Sequence, residues 1–305
     1  MRHDNLIIPI LDRTNMNLAW EQVLANKGAP GTDGVTLNRW ARNWEANIER
    51  LRQQVRTNTY RPNRPKRFRV SKKGGGYREL SRLTVSDKVL QRAVLNVIDP
   101  LFEQRFLSCS HGYRPRRSVA TAVQQVLCLR DQGLRWVLDA DIKACFDELD
   151  HGVLMMLVRR VIKDWFVLNL MELWLKVGRK YRNRAVGVPM GAVIAPLWCN
   201  ITLHQLDARL TTWRWKMVRY ADDFLVFTEN ESRAHDAWGF TEKVLEDLNL
   251  TLNPRKTWVN SFDEGFVFLG VTYYRDSYAY NWGKMRIEVE GRKLRTLYRH
   301  PPNFY

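Results

Sequence analysis

Two spacings of apolar residues alternate along the chain. Val89, Leu90, Ala93, Val94, Val97 and Ile98 recur at helical spacing behind Ser86, a residue type suited to an N-cap, and Pro100 is expected to stop that helix. A second amphipathic helix is predicted by Ala237, Trp238, Val244, Leu245 and Leu248, ending before Asn253-Pro254. Between them lie short runs of β-formers, Trp136 to Ile142, Lys216 to Tyr220 and Phe224 to Thr228. Phe68 to Val70 and Tyr77 to Leu80 predict two further strands, joined by the lysine-tipped glycine turn Ser71-Lys-Lys-Gly-Gly-Gly76. Helical and extended segments in this mixed order predict an α+β fold, with a basic, helix-rich N-terminal half and a sheet-based C-terminal half.

Composition sharpens this picture. The 305 residues are 45% hydrophobic, enough for a buried core, so disordered and collagen-like classes are excluded. Lys plus Arg outnumber Asp plus Glu by 49 to 32, a net +17, which points to a polyanionic partner, nucleic acid first. The charge is concentrated. Between Leu51 and Arg82 eleven residues are basic and only Glu79 is acidic, and Arg64, Lys66, Arg67 and Arg69 within that run are candidate phosphate contacts. Cys109, Cys128, Cys145 and Cys199 form no CxxC pair and read as free thiols. Residues 1–11 lack a signal-peptide pattern, and charges interrupt the apolar stretch from Gly152 to Val177, so a cytoplasmic location is expected.

The chemistry resides in carboxylates. Met217 to Phe227 reads as a hairpin with Asp222 and Asp223 at its turn, and Trp136 to Asp141 as a half-buried strand with an acid near its end. An Asp-Asp turn alone is unremarkable. Two acid-bearing strands brought together are costly unless a cation compensates them, and oxygen ligands of this kind suit Mg²⁺. Two such ions support an in-line displacement at phosphorus, with basic residues such as Lys72, Lys73 and Arg78 to hold a triphosphate.

From about Ala19 to Tyr274 the chain resembles bacterial reverse transcriptases of the group II intron type. The blocks carrying the resemblance are Gly28-Ala-Pro-Gly-Thr-Asp-Gly-Val35, His111-Gly-Tyr-Arg-Pro-Arg-Arg-Ser118, Ala140 to Asp147, Gly187 to Pro196, Tyr220-Ala-Asp-Asp223, Leu250 to Thr257 and Phe266-Val-Phe-Leu-Gly270. It implies a right-hand polymerase fold, with N-terminal extension and fingers over 1–130, palm over 131–275 and a short basic tail or rudimentary thumb over 276–305, fingers and palm interleaving around 178–200. It also implies an RNA-directed DNA polymerase that extends a DNA or RNA primer on an RNA template with dNTPs. Two Mg²⁺ ions, replaceable by Mn²⁺, would be held by Asp141, Asp222, Asp223 and the Ile142 carbonyl. Phe146 would be the ring that rejects a 2′-hydroxyl, Lys73 (or Lys72) and Arg78 the triphosphate grip, Lys256 the proton donor to pyrophosphate, and Phe268, Leu269 and Gly270 the primer grip.

Three departures accompany the resemblance. Arg78 is followed by Glu79 where many relatives have Pro; Met190 stands where they carry Gln, under the templating pair; and Ala192 and Ala195 replace Gly and Ser. Only 275–305 follows the grip block, and no HNH-like His/Cys set occurs, so a compact, domesticated or phage-defence enzyme is expected, with a structured noncoding RNA or a protein subunit completing the clamp. The competing readings are a non-synthetic protein that keeps the fold to bind structured RNA, and an RNA-dependent RNA polymerase, which Phe146 disfavours.

Overall fold

The computed structural model describes residues 5–71, 76–181 and 183–293. In chain order the elements are α1 (Ile7–Ile10), α2 (Arg13–Ala25), α3 (Leu37–Ala41), α4 (Trp44–Arg56), β1 (Lys66–Ser71), β2 (Tyr77–Arg82), α5 (Val85–Glu103), α6 (Val119–Asp131), β3 (Trp136–Asp141), α7 (Cys145–Glu148), α8 (His151–Val161), α9 (Trp165–Gly178), α10 (Ala195–Thr212), β4 (Lys216–Tyr220), β5 (Asp223–Thr228), α11 (Glu231–Glu246), β6 (Trp258–Ser261), β7 (Phe266–Phe268), β8 (Val271–Tyr274), β9 (Ser277–Trp282) and β10 (Met285–Glu290). They divide between two compact units that the chain enters twice, Met1–Arg105 with Phe146–Ile201, and Phe106–Cys145 with Thr202–Tyr305.

The first unit is built on α5. Its buried Val89, Leu90, Ala93, Val94 and Ile98 pack with α2, whose Met16, Ala19, Trp20 and Val23 are buried in turn. Two details differ from the sequence expectation. The N-cap is Thr84, not Ser86, because the Thr84 hydroxyl accepts from the Asp87 amide while the Ser86 hydroxyl accepts from the Trp40 indole. Pro100 does not end the helix, which continues to Glu103 and buries Phe102. Burial of that ring in the last turn favours helix over the local break that proline imposes. The turn Gly31 to Val35, closed by the Gly31 N–H to Val35 carbonyl bond (2.8 Å), lies against the start of α5: a Cβ on Gly31 would sit 3.0 Å from Thr84 Cα. The basic hairpin is a two-stranded antiparallel ribbon, Lys66 opposite Arg82 and Ser71 opposite Tyr77.

The second unit holds two four-stranded antiparallel sheets. The order is β4-β5-β3-β6 in one and β10-β9-β8-β7 in the other. Side chains alternate across each strand. Val137, Val218, Leu225 and Phe227 of the first sheet share an apolar core with Val123, Val126 and Leu127 of α6 and with Phe268, Val271, Tyr273 and Tyr280 of the second. α11 also packs on β3, β5 and β6. Residues 277–290 thus belong to the sheet that begins with the Phe266–Phe268 strand. Among the described residues no helix is long and apolar enough to cross a membrane, and all four cysteines are free.

Candidate active site

Three acids meet at one end of the β4-β5-β3-β6 sheet. Register places Asp141, the last residue of β3, opposite Asp223, the first of β5, and Tyr220 opposite Asp223 across the two-residue turn Ala221-Asp222. Burial, then the neighbouring charges of Asp222 and Asp141, holds the Asp223 carboxyl well above the usual carboxylate range. Asp139, on the same face two residues back along β3, is pushed up to about 7 by burial and then by Asp141.

The segment after α11 completes the corner. Ile142 bridges to Leu252, the Lys143 N–H donates to the Thr251 carbonyl and the Asn253 N–H to the Asp141 carbonyl. That pairing delivers Asn253 and Lys256: the Asn253 amide donates to one Asp141 oxygen (2.9 Å) and the Lys256 ammonium to the other (3.2 Å). Lys256 sits in a turn with its side chain more than half exposed, so its charge is held at the acids while its stem remains in solvent. Asn253 is a contact of the acid corner that sequence reasoning missed.

The turn itself is braced from below. Arg219 is fully buried and forks onto the equally buried Asp207 of α10, Nε to Oδ1 at 2.7 Å and Nη2 to Oδ2 at 2.6 Å, while its Nη1 donates to the Ala221 carbonyl. Ala221 adopts φ +59°, and Gly112 lies so close that a Cβ there would be 2.4 Å from Ala221 N. The His111 N–H donates to the Arg219 carbonyl and the Arg219 N–H to that of Cys109. A charge inside the apolar run Met217-Val-Arg-Tyr was the available signal for Arg219. Nothing local marked Asp207 as its partner. The His111 ring bridges Thr121 and Gln125, and burial pushes its pKa down to about 4.

The expected primer-grip residues form the β7–β8 turn. Phe268 pairs with Val271 across Leu269-Gly270, both in the left-handed region (φ +54° and +72°), as a type I′ turn requires. Phe268 and Leu269 are buried in the second unit's core.

The remaining expected residues lie in the first unit. Phe146 is buried, and its carbonyl accepts from the Val188 N–H. The half-buried Met190 accepts from the Ser81 N–H (2.6 Å), so its block is stitched to β2; Gly191 (φ +103°) has Ser81 O where a Cβ would go, 2.8 Å away. Arg64, Lys66, Arg69 and Arg78 are exposed. Arg67 has a different role: its guanidinium donates to the carbonyls of Gly178, Arg179 and Lys180, capping the C-terminus of α9. Glu79, the departure beside Arg78, pairs with Lys180 (2.6 Å) and Arg67 (3.4 Å), and the Lys180 bond holds its carboxyl below its ordinary value. Lys72 and Lys73 lie outside the described residues.

Three acids thus stand at the strand ends of one antiparallel sheet. Residues 70–273 match the family described as Reverse transcriptase (RNA-dependent DNA polymerase). Protein YkfC of Escherichia coli K12 is 32% identical over 87% of this chain and 81% of its own length, and the group II intron-encoded protein LtrA of Lactococcus lactis is 33% identical over 66% of this chain and 34% of its own. A telomerase from Candida albicans shares the fold, with TM-score 0.53 and 15% identity over 82% of this chain and 52% of that one. The chain therefore belongs to the reverse transcriptase family, with group II intron-encoded proteins among its homologues, and is an RNA-directed DNA polymerase by class. It spans about a third of LtrA and about half of the telomerase chain.

Proposed function

We propose that this chain extends a primer 3′-hydroxyl with deoxynucleotides on an RNA template, with Asp141, Asp222 and Asp223 holding two Mg²⁺ ions. The observation carrying this reading is the crowding of acids at the ends of β3 and β5, where burial and the neighbouring carboxylates raise the Asp223 carboxyl above its ordinary range. Among the described residues no group of three or more His, Cys, Asp or Glu is arranged to hold a metal ion as the side chains stand. The donor set nevertheless fits one: it is all oxygen, and the Lys256 ammonium beside Asp141 is a stand-in for a cation. Divalent ions bound there supply Lewis-acid stabilisation of the charge that develops as pyrophosphate leaves.

The protein's own groups do the rest. Asn253 fixes the Asp141 carboxylate by one oxygen, and Lys256 brings a proton within reach of the acids. The Arg219–Asp207 fork sets the height of the Asp222 turn. Phe146 excludes a 2′-hydroxyl, Lys73 (or Lys72) and Arg78 bind the triphosphate, Met190 lies beneath the templating pair, and the Phe268-Leu269-Gly270 turn steadies the primer; these roles rest on the family resemblance. So does the proposed setting, a domesticated or phage-defence system with a structured noncoding RNA or protein partner, which sequencing of copurifying nucleic acid would test.

Primer extension tests the core reading. Asp222→Asn should lose at least about 10²–10³-fold in rate, the scale of losing a charge-stabilising group, while binding primer–template as the wild type does, because no basic residue is altered. Extension at the wild-type rate would overturn the assignment.

A further inference from the structure

A second polar cavity lies in the unit that carries the acids. About 370 Å³ in volume, it is walled by the 108–117 loop, the first turns of α6 and Arg292, two residues after β10. Its charged lining is Arg116, Arg117 and Arg292, with no carboxylate among the lining residues; Ser108, Thr121 and Gln124 add neutral hydrogen-bonding groups. Three guanidinium groups facing one space repel one another unless an anion joins them.

The arginines come from two segments, Arg116 and Arg117 from the loop and Arg292 from the far end of the unit, and Arg117 is placed by a backbone carbonyl rather than by an acid. Arg116 adopts φ +60°, an uncommon conformation for a non-glycine residue. Arg117 is anchored by one guanidinium nitrogen on the Ser108 carbonyl (3.1 Å), leaving the rest of its fork unused by that contact. Arg292 follows the turn at Gly291, whose N–H donates to the Asp276 carbonyl. Arg116 and Arg292 are exposed, and among the described residues neither makes an ion pair. Beneath them the neutral His111 ring ties Thr121 to Gln125, so the floor adds no competing charge. The same 108–117 loop is bonded to the acid-bearing hairpin through His111 and Arg219.

We propose that this cavity is a phosphodiester site: Arg116, Arg117 and Arg292 grip backbone phosphates of a nucleic-acid strand engaged by the unit, apart from the acids and from the basic β1–β2 hairpin. Guanidinium forks match phosphate oxygens bidentately, and the neutral amide and hydroxyl groups suit sugar oxygens. The proposal deepens the polymerase reading by naming how the palm-bearing unit holds its strand, and it rests on that reading only for the strand's identity.

The test compares full-length wild type with Arg116→Gln/Arg292→Gln and with the charge-preserving Arg116→Lys/Arg292→Lys, measuring Kd for a fluorescent primer–template across a salt series. Two lost phosphate contacts should flatten the log Kd against log salt slope by about 1.4 to 1.8 units, and the lysine pair should restore it. A slope unchanged in the glutamine pair, with the melting temperature intact, would overturn the site. Competition by inorganic pyrophosphate distinguishes the phosphate source. If pyrophosphate in the glutamine pair is weakened while the nucleic-acid slope is unaltered, the cavity takes a free anion and the nucleic-acid assignment is wrong. Repeating the series in an Asp222→Asn background separates the two readings: the slope change should persist there, whatever Asp222→Asn does to catalysis.

Discussion

The hairpins β1–β2 and β4–β5 have the same antiparallel topology and opposite interiors. Along β4–β5 nearly every residue is buried, and the charge that lies inside β4, Arg219, is fully enclosed with Asp207. Along β1–β2 most side chains are exposed, several are cationic, and the single acid is neutralised by Lys180 and Arg67. The β4–β5 hairpin is shaped by its own core, so its tip can hold acids at a fixed height. The β1–β2 hairpin presents the exposed cations Lys66, Arg69 and Arg78, so its energetic complement is a polyanion.

The sharpest way to break the contrast is to unlock the core hairpin. Asp207→Asn leaves the Arg219 guanidinium buried against a neutral amide, and removing one partner of such a pair costs about 3–5 kcal/mol. Urea unfolding should show that loss, and primer extension should fall with it because the Ala221 carbonyl loses a fixed donor. Stability within about 1 kcal/mol of wild type would mean that the fork does not brace the turn.

The exposed hairpin should respond in binding instead. Arg64→Gln, Lys66→Gln and Arg69→Gln together should flatten the salt dependence of nucleic-acid affinity by about 2 to 3 units, leaving the melting temperature near wild type. Arg67→Gln, from the same run, should do the reverse, lowering the melting temperature with little change in slope, because its guanidinium caps α9. A slope that ignored the triple change would show that this face meets solvent only.

These contrasts also mark what was legible in the sequence. Strands β3, β4 and β5 were readable because β-formers run unbroken between polar turns, and the acids were readable because they interrupt that pattern at its ends. The Thr84 cap was misread as Ser86 because both are good caps and the choice was made by a tertiary partner, the Trp40 indole. Pro100 was misread because local chain stiffness ignores the buried ring two residues later. Asp207, Asn253 and Lys180 were invisible for a common reason: each acts on a residue in another element, Arg219, Asp141 and Glu79, and nothing along the chain encodes that meeting.

A more local change concerns Phe146. Its ring is buried in the first unit, so Phe146→Ala opens a cavity at some cost in stability. A steric gate makes a further demand that packing does not: the kcat/KM ratio of deoxynucleotide to ribonucleotide should fall while deoxynucleotide extension persists. Equal losses on both nucleotides would return the ring to the core.

The smallest effect expected is in the pH dependence of stability, and it probes the wall that joins the acid hairpin to α6. His111 is buried between Thr121 and Gln125, and its pKa is lowered, first by burial, to about 4. An unfolded histidine titrates near 6.5, so between roughly pH 6.5 and 4 the unfolded chain binds a proton that the native state refuses. Stability contributed by this group is therefore fully present above about pH 6.5 and is lost as pH falls toward 4, with a limiting slope of about 1.4 kcal/mol per pH unit for one proton. Urea midpoints measured from pH 7 to 4.5 should fall less steeply in His111→Gln, which keeps hydrogen-bonding groups and cannot charge. Parallel wild-type and variant curves would mean that His111 titrates alike in both states, and that the loop beside the arginine cavity opens to solvent as acid is added.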